Sequence, residues 1–201
     1  MMKDLYRTIE APAEGNFRDK GSKFLAFAYT VNSEEEIREQ IGRLKKEYHD
    51  ARHHCFAWRL GADMEQFRVN DDGEPSGSAG KPIFGQIQSR NLTNILVVVV
   101  RYFGGTLLGV GGLMRAYRSA SSAALDQARI IELKVHKTLK LEFGYEQMNS
   151  VMKVIKDLGL EFEDQDFDLK CTLSLKVWTR MMDRVLSQLS IIEGCKASLK
   201  E

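Results

Sequence analysis

The sequence predicts an α+β fold in two domains, the first spanning residues 1–136 and the second, ferredoxin-like, residues 137–201. Three observations carry this. The apolar run Ile95 to Val100 is β-branched almost throughout and reads as a fully buried central strand. From Lys137 onward the apolar residues follow the order β-α-β-β-α-β. A length of 201 residues suffices for two small domains, each with its own core.

Lys23 to Val31 is rich in aromatic and aliphatic residues and predicts a buried strand. Ser33 and Glu36 have the spacing of a capping box, and Ile37, Ile41, Leu44 and Tyr48 recur at helical spacing behind them, opposite Arg38, Glu39, Arg43 and Lys46. Strands over His54–Leu60 and Glu65–Val69, joined at Gly61, suggest a hairpin. A short helix is expected over Ile83–Arg90, a strand over Asn94–Tyr102, and a helix over Gly112–Ala128 whose small residues allow close packing on a sheet. In the second domain the expected elements are Thr138–Phe143, helix Glu146–Leu158, Leu160–Phe167, Leu169–Val177, helix Thr179–Leu189 and Lys196–Leu199. Met148, Met152, Ile155 and Leu158 form the predicted inward stripe of its first helix, and Met182, Val185, Leu186 and Leu189 that of its second.

Composition narrows the function classes. With 43% hydrophobic and 28% charged residues the chain has the balance of a soluble globular protein. The longest apolar run, six residues, falls far short of the roughly 20 that cross a bilayer, so no membrane partner is expected. The first ten residues lack the apolar core of a signal peptide, and Cys55, Cys171 and Cys195 are scattered without C-x-x-C spacing. Both features predict a cytoplasmic protein with reduced thiols. A net charge of +1 gives no global attraction to nucleic acid, so any such binding must use local clusters.

Five glycines fall within Gly104–Gly112, between the central strand and the following helix. Such a segment either presents backbone N–H groups and a helix N-terminus to an anion or serves tight strand-to-helix packing. Arg115 and Arg118 lie three apart on that helix, with Arg115 expected in its first turn, where an external anion would relieve its conflict with the macrodipole. They and Arg101 either face an anion or pair with acids such as Asp72 or Glu74.

A second polar segment runs from Asn70 to Pro82 and contains Asp71, Asp72, Glu74, Ser76 and Ser78. It is neither a P-loop, since Pro82 stands where Ser or Thr is required, nor an EF-hand, since Pro82 also takes the place of the distal Glu. It reads as a turn-rich loop with the polar density of a binding edge. His49, His53, His54 and Cys55 lack a second ligand pair to complete a zinc site, so neither a metal nor any other cofactor is expected.

Val100-Arg101-Tyr102-Phe103-Gly104-Gly105 followed by Leu107-Leu108-Gly109 closely resembles the signature of the IMPACT/YigZ family. Lys20-Gly21-Ser22-Lys23-Phe24, Asp50 to Trp58 and Asp72 to Gly80 also resemble motifs of that family, so the resemblance covers nearly the whole chain. It implies a first domain that is a β-α sandwich of ribosomal-protein-like fold, like domain four of elongation factor G, and a second like domain five of that factor. Eukaryotic relatives are regulators of translation initiation. The implied function is a translation-associated binding protein rather than a metabolic enzyme, with structured RNA or the ribosome as partner and oligomeric state left open. Lys20, Lys23, Arg101, Tyr102, Gly104, Gly105, Arg115 and Arg118 form the expected anion or nucleic-acid site. The rival class is a small-molecule enzyme acting on a phosphorylated or anionic substrate, with His53, His54, Asp71, Asp72, Glu74, Ser76 and Ser78 as candidate pocket residues beside Arg101.

Overall fold

Ile95 to Val100, apolar on both faces, occupy the middle of the central strand of a five-stranded antiparallel sheet in the computed structural model, which describes residues 4–167 and 170–199. The strands of this sheet are β2 (Ala13–Asp19), β3 (Ser22–Thr30), β4 (His53–Leu60), β5 (Gln66–Asn70) and β6 (Ile95–Tyr102), in the order β2-β3-β6-β4-β5. Alternation along β6 sends Ile95, Val97 and Val99 into a core with helices α2 (Gly80–Ser89) and α3 (Gly109–Gln127). Leu96, Val98 and Val100 face the other way, into a core closed by helix α1 (Glu34–Glu47). Helices therefore cover both faces, which is why β6 carries no polar face of its own. A separate two-stranded sheet pairs β1 (Leu5–Ile9) with β7 (Ile130–Lys134).

The start of α1 follows the capping signature with one change. Ser33 Oγ accepts from the Glu36 N–H at 3.2 Å, and the Glu36 carboxylate reaches back to the N–H of Asn32 rather than of Ser33, at 2.9 Å. Glu34, Glu35 and Glu36 in the first turn and Lys45 and Lys46 in the last complement the helix dipole. β4 and β5 pair as the expected hairpin, Ala57 opposite Val69. The β2–β3 hairpin turns through Lys20 and Gly21, whose φ angles of 45° and 79° are both positive, as a type I′ turn requires.

Contacts divide the chain at Leu133/Lys134, three residues before the boundary expected from the sequence. The second unit contains β8 (His136–Phe143), α4 (Met148–Leu158), β9 (Glu161–Phe167), β10 (Cys171–Trp178), α5 (Met182–Leu189) and β11 (Lys196–Leu199), with a single turn of 3-10 helix leading into each α-helix. Its antiparallel sheet has the order β11-β8-β10-β9, the ferredoxin-like arrangement for this element order. Leu139, Leu141, Leu173 and Leu175 from the sheet pack with Val151, Ile155, Val185 and Leu189 from the helices. Met152, expected in the inward stripe, is exposed, and Val151, four residues before Ile155, takes its place on the buried face. The expected strand start at Leu169 lies outside the described residues. β9 forms one edge of the sheet, and all seven of its residues are exposed. Among the described residues no helix is long and apolar enough to cross a membrane.

Each unit owns a core, so each is expected to fold alone. A fragment ending after β7 and one beginning at β8 should each unfold cooperatively in urea. Two unfolded fragments from an intact chain that melts in one transition would show the division to be geometric only.

Candidate functional site

Adjacent residues of a strand point to opposite faces, and this sorts the predicted residues. His53 pairs with Arg101 across β4 and β6, on the face that also carries Cys55, Ala57 and Val99. His54, Tyr102 and Lys23 lie on the face turned toward α1.

On the first face, Arg101 Nη1 donates to Glu74 Oε1 at 2.6 Å, and the Tyr117 hydroxyl donates to the same oxygen at 2.7 Å. The Arg101 and Glu74 side chains are only 7% and 3% exposed. Phe24 and Phe103 flank the guanidinium, their ring centres 5.5 and 5.7 Å from its carbon, while Arg101 Nε has no hydrogen-bond partner among the described residues. The Cys55 sulfur lies 3.0 Å from the Asp71 carbonyl oxygen and 3.3 Å from the Tyr117 hydroxyl oxygen, with one proton to share between these two acceptors. Burial pushes the Cys55 thiol and the Tyr117 phenol well above their ordinary ranges, so neither supplies an ionised nucleophile near neutral pH.

Arg101, Glu74 and Phe103 of this cluster border a cleft of about 350 Å³. Arg52, His53, Glu74 and Arg101 line it together with Phe103, Leu107, Val110 and Leu113. Phe103 is 44% exposed and Leu107 83% exposed, so the rim of a largely apolar cleft is itself apolar. Gly109 and Val110, the first residues of α3, also line the cleft. Among the described residues no side chain caps that helix, and no acid stands in its first turn. The N-terminus of α2 is different. The Asp71 carboxylate accepts from the N–H groups of Gly77, Ala79 and Gly80 at 2.8, 3.0 and 2.8 Å. Burial alone would raise the Asp71 pKa, but these three bonds and nearby Lys81 hold it below the ordinary value. One helix entry is satisfied from within, and the other is bare.

Helix α3 begins at Gly109, not Gly112, so Arg115 sits in the second turn rather than the first, and the expected conflict with the macrodipole is relaxed. Arg115 and Arg118 are exposed and make no ion pair among the described residues. Arg118 and Lys81 border a second, more open depression between α2 and α3. Of the five glycines, Gly109, Gly111 and Gly112 belong to the helix and only Gly104 and Gly105 to the loop. Gly104 lies against the β2–β3 turn and donates its N–H to Ser22 Oγ at 3.2 Å. The Lys20-Gly21 turn therefore meets the glycine loop. Lys20 is exposed there, whereas Lys23 is half-buried on the α1 face. Tyr102 donates to Asp50 at 2.7 Å, and with this bond its phenol is pushed up to about 12.

Of the candidate pocket residues, only His53 and Glu74 line the cleft. Asp71 is occupied by the start of α2. The Asp72 carboxylate turns to the other face, accepting from the His54 N–H at 2.7 Å with Lys45 3.5 Å away. Burial lowers the pKa of His54 there. Ser78 is buried and donates to the Pro75 carbonyl at 2.6 Å, and Ser76 is exposed outside the cleft lining. Arg52, Phe103 and Tyr117 were not among the expected site residues. For Arg52 the signal was its position one residue before a strand whose first side chain faces the cleft. Tyr117 could have been noticed as the one phenol on a helix face of alanines, where a buried hydroxyl needs a partner.

Residues 20–125 match the family model of the Impact N-terminal domain. An IMPACT family member of Haemophilus influenzae is 37% identical over 85% of this chain and 84% of its own. The IMPACT family member YigZ of Escherichia coli is 37% identical over 74% of each chain. A crystal structure of a protein described as hypothetical superimposes with a TM-score of 0.79 at 28% identity, covering 99% of this chain and 98% of the other.

Proposed function

The chain belongs to the IMPACT family, and from that premise we propose that it is a translation-associated binding protein whose first unit takes a phosphate of structured RNA or of the ribosome. The bare N-terminus of α3 carries this reading. A helix of 19 residues begins there at the cleft with, among the described residues, no side-chain cap and no acid in its first turn, and its first backbone N–H groups have no partner within the helix. Buried Arg101, with Nε unpartnered, and exposed Arg52 line the same cleft and add positive charge to the approach. Arg101 has its charge matched by Glu74, so its contribution is orientation more than net attraction. Arg115 and Arg118, the first about 9 Å along α3 at 1.5 Å per residue, extend the basic surface to further phosphates. Lys20, at the turn against Gly104, supplies a cation on the other flank.

Arg115 and Arg118 test the assignment without touching the core. The double variant R115A/R118A should keep the circular dichroism spectrum of the parent and bind structured RNA or ribosomes more weakly. Its plot of log affinity against log salt should be shallower by about 2, one counterion contact for each arginine. Absence of binding by the parent even at low salt, or an unchanged slope in the variant, would turn the assignment toward a small-molecule enzyme.

A further inference from the structure

Beyond that reading, we propose that the exposed apolar segment from Phe103 to Val110 is a docking surface for another protein, receiving a large apolar side chain of an acidic segment whose carboxylate meets Arg52.

This segment exposes side chains that a folded chain usually buries. Gly105 and Gly109, with φ angles of 85° and 68°, turn the backbone on either side of Thr106-Leu107-Leu108, and a Cβ at either glycine would meet nothing within 4 Å. Leu107, between them, is 83% exposed. Phe103 at 44% and Val110 at 54% accompany it, so three large apolar side chains close together in the chain face solvent around one cleft. Pro75, Leu108 and Leu113 continue the apolar surface along the cleft wall. Single exposed apolar residues are ordinary, whereas a group of them bordering a cleft marks an interaction site.

The lining chooses the occupant by shape and by charge. Its apolar part is mainly aliphatic, and its one phenyl ring, that of Phe103, is already engaged by the Arg101 guanidinium 5.7 Å from the ring centre. Bases of RNA are held by stacking on free aromatic faces. An aliphatic surface instead suits an apolar side chain of a protein. Glu74 is the only acid of the lining, and Arg101 matches its charge. Arg52 is exposed and makes no ion pair among the described residues. A segment entering the cleft therefore meets a cation whose charge is unmatched, which favours a carboxylate and repels a basic segment. The 350 Å³ of the cleft lies at the lower end of ligand-site volumes, room for one anchoring side chain. The end of α3, Arg115 and Arg118 stay available to phosphate, so RNA and protein can be held together.

The test begins with random short peptides displayed on phage and selected on the full chain. The recovered sequences should carry a large apolar residue flanked by Asp or Glu. A synthetic peptide of the recovered consensus should bind L107S/V110S about tenfold more weakly, the loss expected for one buried apolar contact. It should bind R52E about threefold more weakly or worse, since an exposed ion pair is exchanged for repulsion. Both changes are on exposed side chains, and circular dichroism should match the parent. RNA binding by L107S/V110S should keep the affinity and salt slope of the parent. Recovery of no consensus, or of a basic one, overturns the docking surface and leaves the phosphate reading untouched. Equal affinity of the consensus peptide for L107S/V110S and the parent also overturns it, and equal affinity for R52E overturns the assigned seat of the carboxylate. RNA binding that weakens in L107S/V110S assigns the apolar rim to RNA and overturns a protein partner. Dimers of the parent in sedimentation that L107S/V110S abolishes would make a second copy the occupant and overturn it likewise. An acidic, apolar consensus on a parent that binds no RNA supports the docking surface while the phosphate reading falls.

Discussion

Replacing Glu74 by alanine is expected to destabilise the chain by about 3–5 kcal/mol, the range for removing one partner of a buried ion pair. Arg101 would keep its charge in a setting where its side chain is 7% exposed and its Nε is already unpartnered. Tyr117 would lose the acceptor of its hydroxyl as well. Because a domain is stable by only about 5–15 kcal/mol, this is a large share. Urea unfolding should show a lower midpoint with an unchanged slope. A loss below about 1 kcal/mol would mean that water replaces the carboxylate, and that the pair is closer to solvent than the geometry indicates.

Gly104→Ala is expected to cost about 3 kcal/mol or more, beyond the usual range of a tight substitution. A Cβ there would lie 1.9 Å from the Gly21 carbonyl carbon and 2.1 Å from the Ser22 nitrogen. Both are backbone atoms of the type I′ turn, so no side chain can swing aside. The turn and the 103–108 loop would have to part, and stability should fall with them. Gly42→Ala is the control. Gly42 is helical with open space around it, and alanine there should stabilise by about 0.5–1 kcal/mol. Thermal unfolding of the two variants should move in opposite directions. A Gly104→Ala protein with the parent melting temperature would refute the close contact.

Much of the fold was legible because periodicity and burial agreed. β6 shows apolar residues on both faces, α1 carries its cap and its dipole charges, and the second unit repeats strand and helix patterns cleanly. β1, β2 and β7 were missed for physical reasons. β2 is a polar edge strand, Ala-Glu-Gly-Asn-Phe-Arg-Asp, whose pairing depends on a turn at Lys20-Gly21 rather than the stronger Asn-Gly or Asp-Gly signal. The start of α3 was placed late because Gly109, Gly111 and Gly112 read as loop by propensity and are helical by context.

The site was less legible than the fold. Strand alternation alone separates His53 from His54 and Arg101 from Tyr102, so the division of the predicted set between two faces could have been read from the sequence. The convergence of Arg101, Glu74 and Tyr117 could not, since it joins positions 27 and 43 residues apart. Asp71 has the composition of a catalytic carboxylate and the geometry of a helix cap.

The exposed edge strand β9 bears on how copies of this protein meet one another. A free strand edge is a row of unpaired N–H and C=O groups ready to extend a sheet from one molecule into the next. Here the row is accompanied by Glu161, Glu163, Asp164 and Asp166. A second copy arriving edge to edge would bring the same four carboxylates, and mutual repulsion would turn it away. That protection weakens as salt shortens the range of the repulsion. Concentrated, salted solutions are where intermolecular sheet extension would first become visible.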